Sequence, residues 1–273
     1  MADTDKNGIL ITVFSTASAV GKTFVSVNMA AELAQQGFRV CLIDLDLQFG
    51  DIANFLQLHP LKTIYDAQAD PELRRETYDP LPYVTLYENR SVSFSVIAAP
   101  LTVAQAYQVS AKRVESVVRE LRHQYDYVIA DTKSAFSELN LLMMDMSTLI
   151  TVVAIVDFIP TIKNMKIGYE AMKRMGYEPN KIRFILNRSN AVTSIEIHDV
   201  ERLLGVPFYH ILPNDFKAAV ESIHLGVPMI LQDTVSRSPL FAGLQDLVNK
   251  YTNRQSPPRP RKQREGLFGL FRK

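Results

Sequence analysis

The stretch that most constrains the fold is Phe14-Ser15-Thr16-Ala17-Ser18-Ala19-Val20-Gly21-Lys22-Thr23. It follows the apolar run Ile9-Leu10-Ile11-Thr12-Val13 and precedes a helical pattern from Gly21 to Gln36. Gly37 is placed to end that helix in a left-handed cap. Strand, small-residue loop, Gly-Lys-Thr and helix, in that order, make a phosphate-binding loop. Small residues let backbone N–H groups curl round an anion, and the helix N-terminus adds partial positive charge. Lys22 can reach the β- and γ-phosphates, and the Thr23 hydroxyl can ligate Mg²⁺. The pattern departs from G-x-x-x-x-G-K-[ST] at its first glycine, where this chain has Thr16.

The remaining chain repeats strand and helix at the spacing of a doubly wound, mainly parallel β-sheet flanked by helices. Phe38 to Ile43 reads as a buried strand, continuous in apolar residues because helices cover both faces. It runs into Asp44-Leu45-Asp46-Leu47-Gln48-Phe49-Gly50-Asp51, acids at the strand end where open α/β sheets bind ligands. Pro60 to Pro82 reads as short helices in an exposed excursion, and Val96 to Pro100 as a short strand. Thr102 to Gln124 reads as one helix with a solvated charged face. Tyr125 to Asp131 is a buried strand ending in the carboxylate expected to support Mg²⁺. Strands at 149–156, 182–186 and 208–212 then alternate with helices at 160–175, 195–204, 216–225 and 236–251.

Composition narrows the class. The chain has 273 residues, 47% of them hydrophobic, enough for one large α/β domain or two small ones. A net charge of +1 gives the body no general attraction for nucleic acid. The single cysteine, Cys41, excludes an intrachain disulfide framework or multi-cysteine metal site. Met1 to Gly8 is polar, unlike a secretory signal, and no run approaches 18 apolar residues. The expected location is cytoplasmic.

Taken together, these residues resemble the MinD/ParA group of deviant-Walker P-loop ATPases. The Asp44–Asp51 string points to its CpaE/TadZ branch, associated with pilus assembly and polar localisation. Supporting matches are Val20-Gly21-Lys22-Thr23, Tyr125 to Thr132, Leu186-Asn187-Arg188, Leu212-Pro213-Asn214-Asp215 and Leu225-Gly226-Val227-Pro228. The resemblance implies a nucleotide-dependent homodimer with ATP and Mg²⁺ at its interface. By position, Ala19, Val20, Gly21, Lys22, Thr23 and Phe24 would cradle phosphate. Thr23, Asp44 and Asp131 would serve the metal, and Asp46 would orient the attacking water. Asn187 and Pro213 would meet adenine, for which an amide that both donates and accepts is suited; a strand-end cap is the other reading of Asn187.

Two departures follow. Members of the group usually read Lys-Gly-Gly-Val-Gly-Lys-Thr, and the first lysine reaches the partner's phosphates. Here that position is Ala17, and the glycines are Ser18 and Ala19. Phosphoryl transfer depends on positive charge at the transferring group, so this ATPase should be weak. The expected Asp-x-Pro-x-Gly is Asp131-Thr132-Lys133-Ser134-Ala135. Lys133 is either an exposed loop lysine or a partial replacement for the missing cation.

The domain reading is an ATPase domain over 1–253, a Pro/Arg-rich linker over 254–264 and an amphipathic segment over 265–273. Leu267, Phe268, Leu270 and Phe271 would share one helical face beside arginines and lysines. Such a tail suits reversible attachment to anionic lipid on the inner face of the cell membrane, as in MinD-type proteins. A protein-docking peptide and a solubilising or nucleic-acid-contacting tail are the alternatives. The partner machinery, whether pilus, secretion or division, is left open, as is a ParA-like role in DNA partition.

Overall fold

The computed structural model describes residues 7–75, 78–90, 92–190 and 195–254. The membrane expectation for Leu267, Phe268, Leu270 and Phe271 lies outside them. Among the described residues eight strands form one sheet. They are β1 (Ile9–Phe14), β2 (Val40–Leu45), β3 (Thr85–Asn89), β4 (Val92–Ile97), β5 (Tyr127–Thr132), β6 (Leu149–Ala154), β7 (Ile182–Leu186) and β8 (His210–Ile211). Their order in space is β3-β4-β2-β5-β1-β6-β7-β8, and every pair but β3–β4 is parallel. The connecting helices are α1 (Lys22–Gln35), α2 (Ile52–Phe55), α3 (Ile64–Ala69), α4 (Val103–Ala106) and α5 (Ala111–Gln124). They continue with α6 (Glu138–Met146), α7 (Ile159–Arg174), α8 (Ile197–Leu204), α9 (Phe216–His224) and α10 (Pro239–Thr252). None of these helices is long and apolar enough to cross a membrane.

The period of two along a strand decides which helices each residue meets. On β1, Ile11 and Val13 join a core with Val25 and Val27 of α1 and Leu244 and Leu247 of α10. Leu10 points the other way, into a core with Val114, Val117 and Leu121 of α5. Phe14 joins Met165 and Tyr169 of α7. Because β1, β5 and β2 run parallel in register, with Val13 and Asp44 both opposite Asp131, their loops emerge at one edge. The chain winds outward from β1 in both directions, so this edge includes the crevice where doubly wound sheets hold ligands.

Several elements differ from the sequence reading. The 102–124 span is two helices, because Ser110 is extended and interrupts the turn between α4 and α5. The edge strand β3 was not expected; its five residues bury only Tyr87 and leave little alternation to read. Helix α6 was not expected either, since Leu139 to Met144 is apolar on several sides and carries no clean 3.6 period. The 60–82 excursion is held more firmly than its polarity implies. A Thr63/Asp66 capping box starts α3, and Ile64, Ala67 and Tyr78 are buried.

Candidate functional site

At the C-terminal edge of β1, β2, β5 and β7 lies a cavity of about 760 Å³. Lys22, Thr23, Asp46, Asp131, Lys133, Asn187 and Pro213 all line it, although they are scattered over nearly 200 positions of sequence.

The phosphate loop is shaped by backbone geometry. Gly21 is the N-cap of α1 with φ +95°, and a Cβ there would lie 2.4 Å from Asn187 Nδ2. Glycine is therefore required twice, for the left-handed turn and for the close approach. Ala19 holds φ +59° without being glycine, a left-handed conformation that costs an L-residue about 1–2 kcal/mol. Thr16, in place of the first glycine of the motif, fits because Gly168 on α7 has no side chain. A Cβ on Gly168 would meet Thr16 Cγ2 at 2.3 Å. Val20 is buried in the core beneath the loop, while Phe24, stacked on Phe55, is mostly buried and lines the cavity wall with it. Ala17 offers the cavity no cation.

The metal-side residues meet directly. Thr23 Oγ1 donates to Asp131 Oδ2 at 2.7 Å, and Ser26 Oγ donates to Asp131 Oδ1 at 3.1 Å. Burial pushes the Asp131 carboxyl up to about 6, against the pull of these hydroxyls and of Lys22. Hydroxyl and carboxylate side by side suit Mg²⁺, which takes one or two protein oxygens and completes its shell with water and phosphate. Asp44 is placed differently. Its Oδ1 accepts the Asp46 N–H at 3.2 Å and its Oδ2 the Ile52 N–H at 3.1 Å. Burial and the neighbouring Asp131 push its carboxyl well above the usual range, while those two N–H groups oppose the shift. Asp44 thus folds the 46–52 loop that carries Asp46 to the cavity. Gly50 leaves room for it, since a Cβ there would lie 2.5 Å from Asp44 Oδ2.

Asn187 donates from Nδ2 to the Val20 carbonyl at 2.9 Å, tying the end of β7 to the phosphate loop. This bracing contact is in keeping with the structural alternative for Asn187, with the Val20 carbonyl as the partner that the sequence did not name. Pro213 lines the cavity beside Phe216 and Ile223, two exposed apolar residues that offer a surface for a planar base. Lys133 is exposed on the cavity rim.

Three cavity-side features were missed. Arg188 lines the cavity with φ +54°. Ser134 Oγ lies 2.8 Å from Lys22 Nζ. Asn140, fully buried at the start of α6, donates to the carbonyls of Lys133 and Ala135, both at 2.7 Å. A Ser in a loop and an Asn in the first turn of a helix carry no sequence signal, and each becomes visible only when β5 and α6 fold beside β1.

Residues 11–224 match the CbiA family, the CobQ/CobB/MinD/ParA nucleotide binding domain. The chain belongs to this family. The septum site-determining protein MinD of Synechocystis sp. is 26% identical over 242 residues, covering 83% of this chain and 84% of that protein. The ParA family ATPase of Chlorobium tepidum superposes with TM-score 0.80 at 19% identity, over 89% of this chain and 98% of that one. The Pyrococcus horikoshii MinD complexed with Mg-ADP superposes with TM-score 0.75 at 18% identity, over 89% and 96%. The MinD/ParA fold read from the sequence is the fold observed.

Proposed function

We propose that this chain is a MinD-like switch of the CpaE type. It binds ATP with Mg²⁺, pairs with a second copy when loaded, and attaches peripherally to the inner face of the cell membrane. There it positions a partner machinery for pilus assembly, secretion or division. The observation that carries the reading is the convergence of Lys22, Thr23 and Asp131 with Asn187 and Pro213 around one cavity. Lys22 would neutralise phosphate charge, and burial, which lowers its basicity, strengthens each contact it makes. Thr23 and Asp131 would hold the hydrated metal, whose chemistry is to neutralise phosphate oxygens. Asp44 would serve that metal through the loop it shapes, and Asp46 would orient water. The MinD neighbour complexed with Mg-ADP supports the ligand, and the septum-site relatives support a positioning role.

Weak turnover is supported by Ala17, which leaves the transferring phosphoryl group without the lysine that the family supplies at this position. A scaffold with negligible hydrolysis is the limiting form of the same reading. Charge disfavours DNA partition. Residues 255–273 contain six Lys/Arg and one Glu, a net +5, so with +1 for the whole chain residues 1–254 carry −4. A body of that sign repels a phosphate backbone.

The test is a Mg·ATP titration of the full chain, followed by light scattering with and without nucleotide. Vesicle co-sedimentation with and without residues 265–273 completes it. Binding, nucleotide-dependent pairing and tail-dependent sedimentation on anionic vesicles are expected. No Mg·ATP binding, or equal sedimentation of both chains, would overturn the corresponding part.

A further inference from the structure

We propose that the corner of the fold where α10 ends is a cationic footing that rests on the anionic headgroups of a lipid bilayer. The inference rests on the membrane reading above and adds a surface of the folded body to the attachment proposed for residues 265–273. Three side chains make the corner: Arg183 near the start of β7, Lys250 in the last turn of α10 and Arg254 just beyond it. Lys250 Nζ donates to the Tyr209 carbonyl at 3.0 Å and lies 5.3 Å from the centre of the Tyr209 ring. The Arg183 guanidinium lies 4.9 Å from the same ring centre. Arg254 donates to the Gln36 carbonyl at 3.3 Å, with its guanidinium 5.0 Å from the centre of the Phe38 ring.

These partners hold the cations without neutralising them. A carbonyl and a ring face attract positive charge but carry no formal negative charge. Among the described residues none of the three enters an ion pair, whereas Arg39, Arg90, Arg119 and Arg202 each meet a carboxylate. Lys250 and Arg254 complement the negative end of α10. Arg183 stands on a strand, so a helix end does not account for the set. Tyr209 is itself held, its ring centre 5.6 Å from that of Tyr251, whose hydroxyl lies 2.8 Å from Thr151 Oγ1. Cations fixed in this way lose less side-chain freedom on meeting a partner than the same charges on loose side chains.

A bilayer fits this corner better than a small anion does. Four strand spacings separate β7 from β2, so the charges are spread over roughly 20 Å and line no part of the nucleotide cavity. The sequence beyond Arg254 carries six Lys/Arg and the Leu267, Phe268, Leu270 and Phe271 face proposed to enter lipid, which makes this corner the root of that tether. Charge decides how the body then sits. Residues 1–254 carry −4, so anionic headgroups repel the body as a whole and favour the corner whose cations are left unpaired. Each cation acts within a Debye length of the surface. Corner and tail on one chain reinforce each other through effective concentration.

The experiment is co-sedimentation of the full chain with vesicles of phosphatidylcholine alone and of an equimolar phosphatidylcholine/phosphatidylglycerol mixture. Wild type is compared with the triple variant Arg183→Gln, Lys250→Gln, Arg254→Gln, with its charge-keeping counterpart Arg183→Lys, Lys250→Arg, Arg254→Lys, and with the chain lacking residues 265–273. On anionic vesicles the glutamine variant should bind at least about tenfold more weakly than wild type, and its binding should fall less steeply with salt. The charge-keeping variant should bind as wild type. Should the glutamine variant fail to fold, Lys250→Gln with Arg254→Gln, both exposed, should still weaken binding at least about threefold. Glutamine variants that bind as wild type overturn the footing and leave the tail reading standing, and equal weakening by the charge-keeping variant overturns it too. A truncated chain that binds as wild type, beside a weakened glutamine variant, overturns the tail reading alone. Wild type that ignores anionic vesicles overturns both. A DNA duplex that binds wild type but not the glutamine variant, with vesicle binding equal, overturns lipid as the partner.

Discussion

The loop after β1 and the loop after β5 line one cavity and touch through Ser134, yet they depart from the MinD/ParA pattern in different ways. In the first, the departures are absorbed by geometry. Thr16 is accommodated by Gly168, Ala19 takes the left-handed backbone of a glycine, and Lys22 and Thr23 remain at the cavity. In the second, the proline and glycine of the family pattern are gone, and hydrogen bonds from Ser134 and Asn140 do the holding instead. A loop fixed by backbone conformation keeps its shape when a ligand arrives. A loop fixed by side-chain hydrogen bonds can exchange partners. The contrast is between a cradle set by its backbone and a loop held by side-chain hydrogen bonds.

Four substitutions would break or sharpen that contrast. Removing the cradle's cation should have the largest effect: Lys22→Ala should weaken Mg·ATP binding by about a hundredfold, from the loss of a charged hydrogen-bond donor and its field. Calorimetric titration measures it, and a change under threefold would remove Lys22 from the phosphate site. Next is Gly21→Ala, which forces a side chain into a left-handed turn and against Asn187 Nδ2. A loss of about 2–3 kcal/mol in denaturant unfolding is expected from backbone strain with the added clash. Wild-type stability in that variant would mean that the loop is not rigid.

Asn187→Ala removes the donor to the Val20 carbonyl. It should cost about 1–2 kcal/mol, seen as a fall in Tm of a few degrees. If Tm holds but preference for adenine over guanine nucleotides is lost, Asn187 reads the base rather than bracing the loop. The smallest effect is a gain. Ala19→Gly relieves the positive φ and should add about 0.5–1 kcal/mol after the entropy of glycine is subtracted. A Tm below wild type would show that Ala19 carries no strain.

How much of this could be read from the sequence depends on whether a residue acts through local or distant neighbours. Gly21, Lys22 and Thr23 are contiguous, and the strand and helix flanking them announce what they do. Asp131 is legible because a buried apolar run ending in acid has few other uses beside a phosphate loop. Asn187 was legible as present at the site, whereas Asp44, read as a metal residue, does not line the cavity and holds the 46–52 loop instead; the partners of both, the Val20 carbonyl and the Ile52 N–H, are set by tertiary packing. Ser134 and Asn140 were not legible at all. Helix α6, which carries Asn140, is apolar on several sides and buried, so neither its period nor its contacts could be seen before the sheet was assembled.

On the proposed function, this site holds Mg·ATP well and cleaves it poorly because position 17 supplies no charge. Single-turnover hydrolysis of bound Mg·ATP, wild type beside Ala17→Lys, tests it most directly. Wild type should keep most of its ATP intact while Ala17→Lys hydrolyses it at least about tenfold faster, as expected for restoring one cation to a phosphoryl transition state. Brisk cleavage by wild type that Ala17→Lys leaves unchanged would contradict it.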